Sequence, residues 1–335
     1  MSTQRALHIA ERIFLLIGLV LLGVLLHQLG VQTVVRNLRL VGWGIVPLIL
    51  QEALSFVANT MGWLAAFPTP RPRIAFTHLL RARIAGDAVN YLTPTATLGG
   101  EFVRTRFLNG HVDGTSLVAS VAVAKVSQTI GQIAFVFIGF AFVWDDTPLP
   151  PVVRRSLLIG LALFSALGVA LIVAQRRGMF APVLQLAHRL GLFQHTSEFI
   201  RRLQHLDAEI ARFHGHARGA FVLSSIWFCA GWAAGVIEIY LILWLLGLPV
   251  SVHRALTIEV FSVALDGMFF FVPAKVGTQE GGKVLIFALL GLDPSKGLAL
   301  GILRRIRELT WALIGMLLLS RQQLSPRPAW QPLGR

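Results

Sequence analysis

A constellation of polar residues occurs twice in this chain at one spacing. Asp87, Pro94, Glu101 and Arg104 lie in DAVNYLTPTATLGGEFVR, and Asp266, Pro273, Glu280 and Lys283 lie in DGMFFFVPAKVGTQEGGK. Each copy reads Asp, six residues, Pro, six residues, Glu, two residues, then a base. Asp266 follows Asp87 by 179 residues, and Glu280 follows Glu101 by the same interval. The offset also carries Asn59 to Glu238, Pro70 to Pro249, Lys125 to Arg304 and Gln128 to Arg307. A duplicated, proline-broken polar segment in apolar sequence points to a transport site where two structural repeats meet.

The surrounding sequence sets the solvent. The chain is 55% hydrophobic and only 14% charged, with a mean hydropathy of +0.69. Runs such as 13–30 and 157–174 are long enough to cross a bilayer, at roughly 20 residues per span. An all-α polytopic membrane protein follows. The net charge of +14 reads as juxtamembrane arginine facing anionic lipid, not as a nucleic-acid surface. The single cysteine, Cys229, excludes an internal disulfide and a multi-thiolate metal site. No nucleophile elbow, phosphate-binding Walker loop or His-Glu-x-x-His motif occurs. We expect no enzyme activity, no cofactor and no metal.

Six spans are expected near 13–30, 43–66, 116–143, 156–174, 220–246 and 298–320. Segments 74–110 and 255–292 are apolar but interrupted, and each reads as a re-entrant hairpin. Repeat one then covers about 13–143 and repeat two about 156–320, within one membrane domain over 1–320. Each repeat has three true crossings, an odd number, so the second copy is inverted. No small-x-small cleavage site closes the first run, so it reads as a span with a cytoplasmic N-terminus. The 175–219 connection, with Arg176, Arg177, Arg189, Arg201, Arg202, Arg212 and Arg218, is then cytoplasmic, as is the tail 321–335. Arg36, Arg39, Arg154 and Arg155 fall outside against that rule. Ile200, Leu203, Leu206, Ile210 and Phe213 form an apolar stripe. Their helix either lies on the cytoplasmic leaflet or packs on the membrane body. His195, His205, His214 and His216 cluster nearby without the ligand spacing of a metal site.

A charge at membrane depth costs about 2.5–3.5 kcal/mol on insertion scales, so each needs a partner or a cavity. Pro94 and Pro273 break helices, and the following glycines, Gly99, Gly100 and Gly277, permit tight reversal. Such backbone is tolerated only inside protein or against water. Both hairpin tips therefore belong in the bundle, where a half-helix start favours an anion. Glu101 with Arg104 and Glu280 with Lys283 either neutralise each other at i,i+3 or contact a ligand. Asp87 and Asp266 either cap half-helices or join that site. Adjacent helical positions point about 100° apart. Arg304 and Arg307 thus share a face, expected with Lys125 to hold an anionic head group. Arg305 is expected to pair chiefly with Glu308.

These residues resemble the transmembrane region of the lysylphosphatidylglycerol synthase family, which is flippase-like. Asn90, Pro94, Gly99, Gly100, Glu101 and Arg104 carry the likeness, supported by Gly277, Glu280 and Arg304. In bifunctional relatives, the resemblance implies, this region moves aminoacylated phosphatidylglycerol between leaflets and a separate soluble domain makes it. That synthase domain is not expected here. In length and general look the chain is also similar to hopanoid-biosynthesis-associated members. The expectation is a lipid translocase of a bacterial inner membrane, handling an anionic phospholipid, a hopanoid or another lipid. An enzyme or scaffold working with lipid-biosynthesis enzymes is the alternative; intramembrane Glu and Asp residues could do acid–base work on a head group.

Overall fold

The computed structural model describes residues 31–68, 71–92, 98–108, 112–144, 151–178, 197–268 and 277–321, together with Val24, His27 and Gln28. These residues form helices and short connections with no β-strand among them. Helix α1 spans Val31–Val41 and leads through a 3-10 turn, Gly42–Gly44, into α2, Ile45–Ala65. Next come α3 (Phe76–Leu92), α4 (Leu98–Phe107), α5 (Gly114–Val143) and α6 (Pro151–Arg177). The second half holds α7 (Ser197–His216), α8 (Arg218–Leu245), α9 (Val252–Met268), α10 (Thr278–Leu289) and α11 (Pro294–Arg321).

The boundaries have local causes. Asp113 caps α5 by accepting the Ser116 N–H at 3.0 Å, satisfying one of the orphan donors of a first turn. Pro294 opens α11, where its missing N–H and fixed φ cost nothing, and Asp293 accepts the Ser295 N–H at 2.9 Å.

The interval of 179 residues seen in the sequence carries α2 onto α8, α3 onto α9, α4 onto α10 and α5 onto α11. Equivalent helices α2 and α8 form the central pair and run antiparallel. Gly44 abuts Leu245, Gln51 Nε2 donates to the Ala234 carbonyl at 2.6 Å, and Ser224 Oγ donates to the Gly62 carbonyl at 2.8 Å. The flanking contacts are crossed. Helix α3 packs along α11, with Gly315 against Ile84 and Ala88, while α9 packs along α5, with Gly139 against Val260.

Among the described residues, two apolar clusters fill the interior. One joins Phe135, Ile239, Ile242, Phe261, Phe287 and Leu300. The other gathers Trp63, Phe67, Leu79, Phe107 and Phe228 around Leu206, Ile210 and Phe213 of α7. The stripe of α7 is thus turned onto the protein body, with Arg201 and Arg212 exposed. Of the two sequence readings for this segment, packing on the body is the one observed. The outer faces expose large apolar side chains, among them Leu50, Leu54, Phe142, Leu163 and Trp244.

Four helical stretches among the described residues are long and apolar enough to cross a membrane: Val31–Ala65, Gly114–Val143, Arg154–Arg177 and Arg218–Leu245. Helix α11 has the length, at 28 residues, but carries Arg304, Arg305, Arg307 and Glu308 in its middle. The run at 13–30 lies almost wholly outside the described residues, as does the tail beyond Arg321.

Candidate functional site

Helices α3 and α4 pack face to face because two glycines let them. A Cβ on Gly100 would run into the Gly86 carbonyl and the Asn90 amide, and one on Gly86 would meet the Arg104 side chain. Asn90 Oδ1 accepts the Gly100 N–H at 2.7 Å, which fixes the start of α4 against α3. Asp87 then receives Arg83, one turn earlier, at 2.9 Å and Arg104 from across the hairpin. Arg104 also binds Glu101 at 2.5 Å, and Lys125 of α5 lies 3.5 Å from Glu101. Gly99 occupies the first turn of α4, half-buried. Pro94 falls outside the described residues.

The second copy is wired differently. Gly277, at φ 76°, adopts the left-handed conformation that glycine tolerates and precedes α10. Its N–H donates to Glu280 at 2.8 Å. That backward turn aims the other carboxylate oxygen at α11, where Arg305 binds it at 2.8 and 3.0 Å. Lys283, one turn on, reaches Asp266 of α9 at 3.7 Å. Asp266–Lys283 thus repeats Asp87–Arg104 across the offset, while Glu280 takes its cation from Arg305. Each aspartate takes a cation from the facing helix. Pro273 lies outside the described residues.

Helix α11 supplies the remaining cations. Arg304 Nε binds Glu238 of α8 at 2.8 Å, and Nη2 binds Glu259 of α9. Arg307 Nη1 binds Glu52 of α2 at 2.5 Å and Glu238 at 3.0 Å. Arg305 is corrected from its expected pairing: it bonds Glu280 and the Tyr91 hydroxyl, at 2.8 Å, while Glu308 stands 3.9 Å away. Helical geometry put Glu308 on the same side, but Glu280 approaches head-on from α10.

Between α2, α3 and α11 lies a partly open cavity of about 190 Å³. Glu52, Asn59, Asp87, Arg307 and Glu308 supply its polar wall, and Phe56, Tyr91 and Trp311 its aromatic wall. Asp87 and Arg307 are thus brought to one space; Arg304 does not line it. Lys125, Glu101 and Arg104 form the hairpin cluster beside Asp87, and Lys283, Glu280 and Asp266 a separate one on α9 and α10. Sequence reasoning passed over Arg83, although its place four residues before Asp87 was a usable sign. It also passed over Tyr91, Phe56 and Trp311, which nothing marks within apolar runs. Among the described residues no group of three His, Cys, Asp or Glu side chains is placed to hold a metal ion.

An all-helical bundle with several membrane-crossing helices and a charged interior defines a polytopic membrane protein. The sequence profile of the Lysylphosphatidylglycerol synthase TM region matches residues 13–315, and the chain belongs to that family. It is similar to a UPF0104 membrane protein of Methanothermobacter thermautotrophicus, 23% identical over 85% of this chain and 90% of the relative. It is also similar to UPF0104 membrane protein PH1989 of Pyrococcus horikoshii, 20% identical over 93% of this chain and 97% of that protein. No solved structure matches the chain.

Proposed function

We propose that this protein binds a membrane lipid through its head group and moves it between leaflets. The cavity between α2, α3 and α11 carries this reading. It combines one guanidinium, from Arg307, with aromatic and carboxylate walls inside a lipid-exposed bundle. Its volume suits a phosphate-bearing head group and leaves the acyl chains in the bilayer. The antiparallel central pair supports an inverted-repeat arrangement, in which two packed halves exchange access to one site. An anionic phospholipid is the substrate class, with its phosphate on Arg307. A bacterial inner membrane with both termini cytoplasmic is the proposed setting.

The test is a proteoliposome assay with fluorescent phosphatidylglycerol and an impermeant quencher. Wild-type protein should expose inner-leaflet probe to the quencher faster than protein-free vesicles do. Arg307→Gln should lose most of that gain while remaining monodisperse. Wild-type vesicles that behave as empty ones would sink the proposal.

A further inference from the structure

The charges around the cavity do not balance. Arg304 and Arg307 face four carboxylates: Glu52, Glu238, Glu259 and, 3.8 Å from Arg307, Glu308, which also stands 3.9 Å from Arg305. The other cations of the region are engaged elsewhere: Arg305 with Glu280, Lys283 with Asp266, Arg83 and Arg104 with Asp87. An unbalanced carboxylate at membrane depth is costly and takes up a positive charge where it can. Such residues commonly form proton relays.

Which carboxylate carries the surplus is decided by donors and access. Glu238 and Glu259 have side chains 1% and 4% exposed and sit on Arg304. Asp87 is 31% exposed but holds two guanidiniums. Glu308 is 22% exposed, accepts the Gln279 amide at 3.0 Å and stands near both Arg305 and Arg307. Glu52 is 21% exposed to the cavity, and its one donor among the described residues, Arg307 Nη1, is shared with Glu238. The groups facing it are Asp87 and Tyr91 from α3, Glu238 from α8, and Arg304, Arg307 and Glu308 from α11. A metal ion would need several convergent oxygens, and the described residues offer no such group. A proton needs only one.

From this geometry we infer that Glu52 is the protein's proton-binding site and that its protonation sets the availability of Arg307 to the lipid. Proton transfer from water to the Glu52 carboxylate gives the neutral acid and cancels its charge attraction for Arg307. Arg307 is 8% exposed, lines the cavity, and has an Nε–H with no hydrogen-bond partner among the described residues. Released from Glu52, it can turn its donors to a phosphate oxygen. Proton and anionic lipid then bind with positive coupling, reciprocal by linkage. The coupling half of this inference rests on the translocase reading above; the proton site does not.

The experiment separates the two. Infrared difference spectra of the purified full-length protein, stepped from alkaline to acid buffer, should show a protonated-carboxyl C=O band worth one group per chain. Glu52→Gln should lose that band. Its absence from wild type, or its persistence in Glu52→Gln, overturns the site. If Glu52→Gln fails to fold, Glu52→Asp replaces it, and a band unchanged in pH midpoint and frequency overturns the site equally. In phosphatidylglycerol proteoliposomes, an imposed pH gradient should change probe movement several-fold. Movement that responds to sodium and not to pH overturns proton coupling. A normal band with no movement at all would refute the translocase and leave the proton site standing.

Discussion

Replacing Arg304 by Gln tests whether the cation behind the cavity is a scaffold element. In the wild type it holds Glu238 through Nε and Glu259 through Nη2, with all three side chains at most 6% exposed. Glutamine keeps some hydrogen-bonding capacity but removes the charge. Glu238 retains Arg307 at 3.0 Å; Glu259 retains no cation among the described residues. One buried carboxylate is therefore stranded, a loss of about 3–5 kcal/mol. At roughly 2 °C per kcal/mol for a chain of this size, the melting midpoint should fall by about 6–10 °C. The eight tryptophans provide an intrinsic fluorescence signal for thermal melts in detergent. Arg307→Gln should cost less, up to about 1 kcal/mol, because Glu52 regains water through the cavity and Glu238 keeps Arg304. Arg304→Met combined with Glu259→Met should recover most of the loss, since an apolar pair strands no charge. A midpoint for Arg304→Gln within about 2 °C of wild type, or a double variant worse than the single, would refute the reasoning.

Gly100→Ala should open the α3–α4 hairpin, because its Cβ meets the Gly86 carbonyl, which cannot move aside; a melting midpoint equal to wild type would contradict this. The exchange of Glu101→Arg with Arg104→Glu should stay impaired in lipid movement and stability. It sets a new arginine beside Lys125 and a new glutamate beside Asp87, and full rescue would show that these two contacts are unimportant. Single cysteines placed in 67–73 and 247–254, in a Cys229→Ser background, should label from opposite sides of the membrane. Labelling from the same side would rule out the inverted arrangement.

Much of the architecture was legible in the chain. The extents of α5, α6 and α8 lie within a few residues of the expected spans, because long apolar runs have few alternatives in a bilayer; α11 matches in extent although its middle is charged. The duplicated spacing was readable because its polar residues stand out against that background. Partner choice was not legible. Arg307 meets Glu52 across 255 residues, and Arg305 meets Glu280 across 25. Such pairings are set by helix packing, which spacing along one helix does not report. Glu280 shows the difficulty: it turns back onto Gly277 and meets Arg305 of another helix. The aromatic wall was hidden for another reason, since Phe56 and Trp311 resemble any lipid-facing ring until the helices are placed.

The crossed packing bears on how the chain enters its membrane. The charges of the first hairpin are self-sufficient: Arg83, Asp87, Glu101 and Arg104 find one another within α3 and α4. Glu52 is not so placed, for its cation is made 255 residues later. At 5–20 residues per second of synthesis, that is a wait on the order of 10–50 s. During it α2 must carry Glu52 uncharged, or lodge it against the insertion machinery, until α11 arrives. Residues far from the cavity that set the arrival of α11 should therefore govern the yield of inserted protein, independently of how stable the finished bundle is.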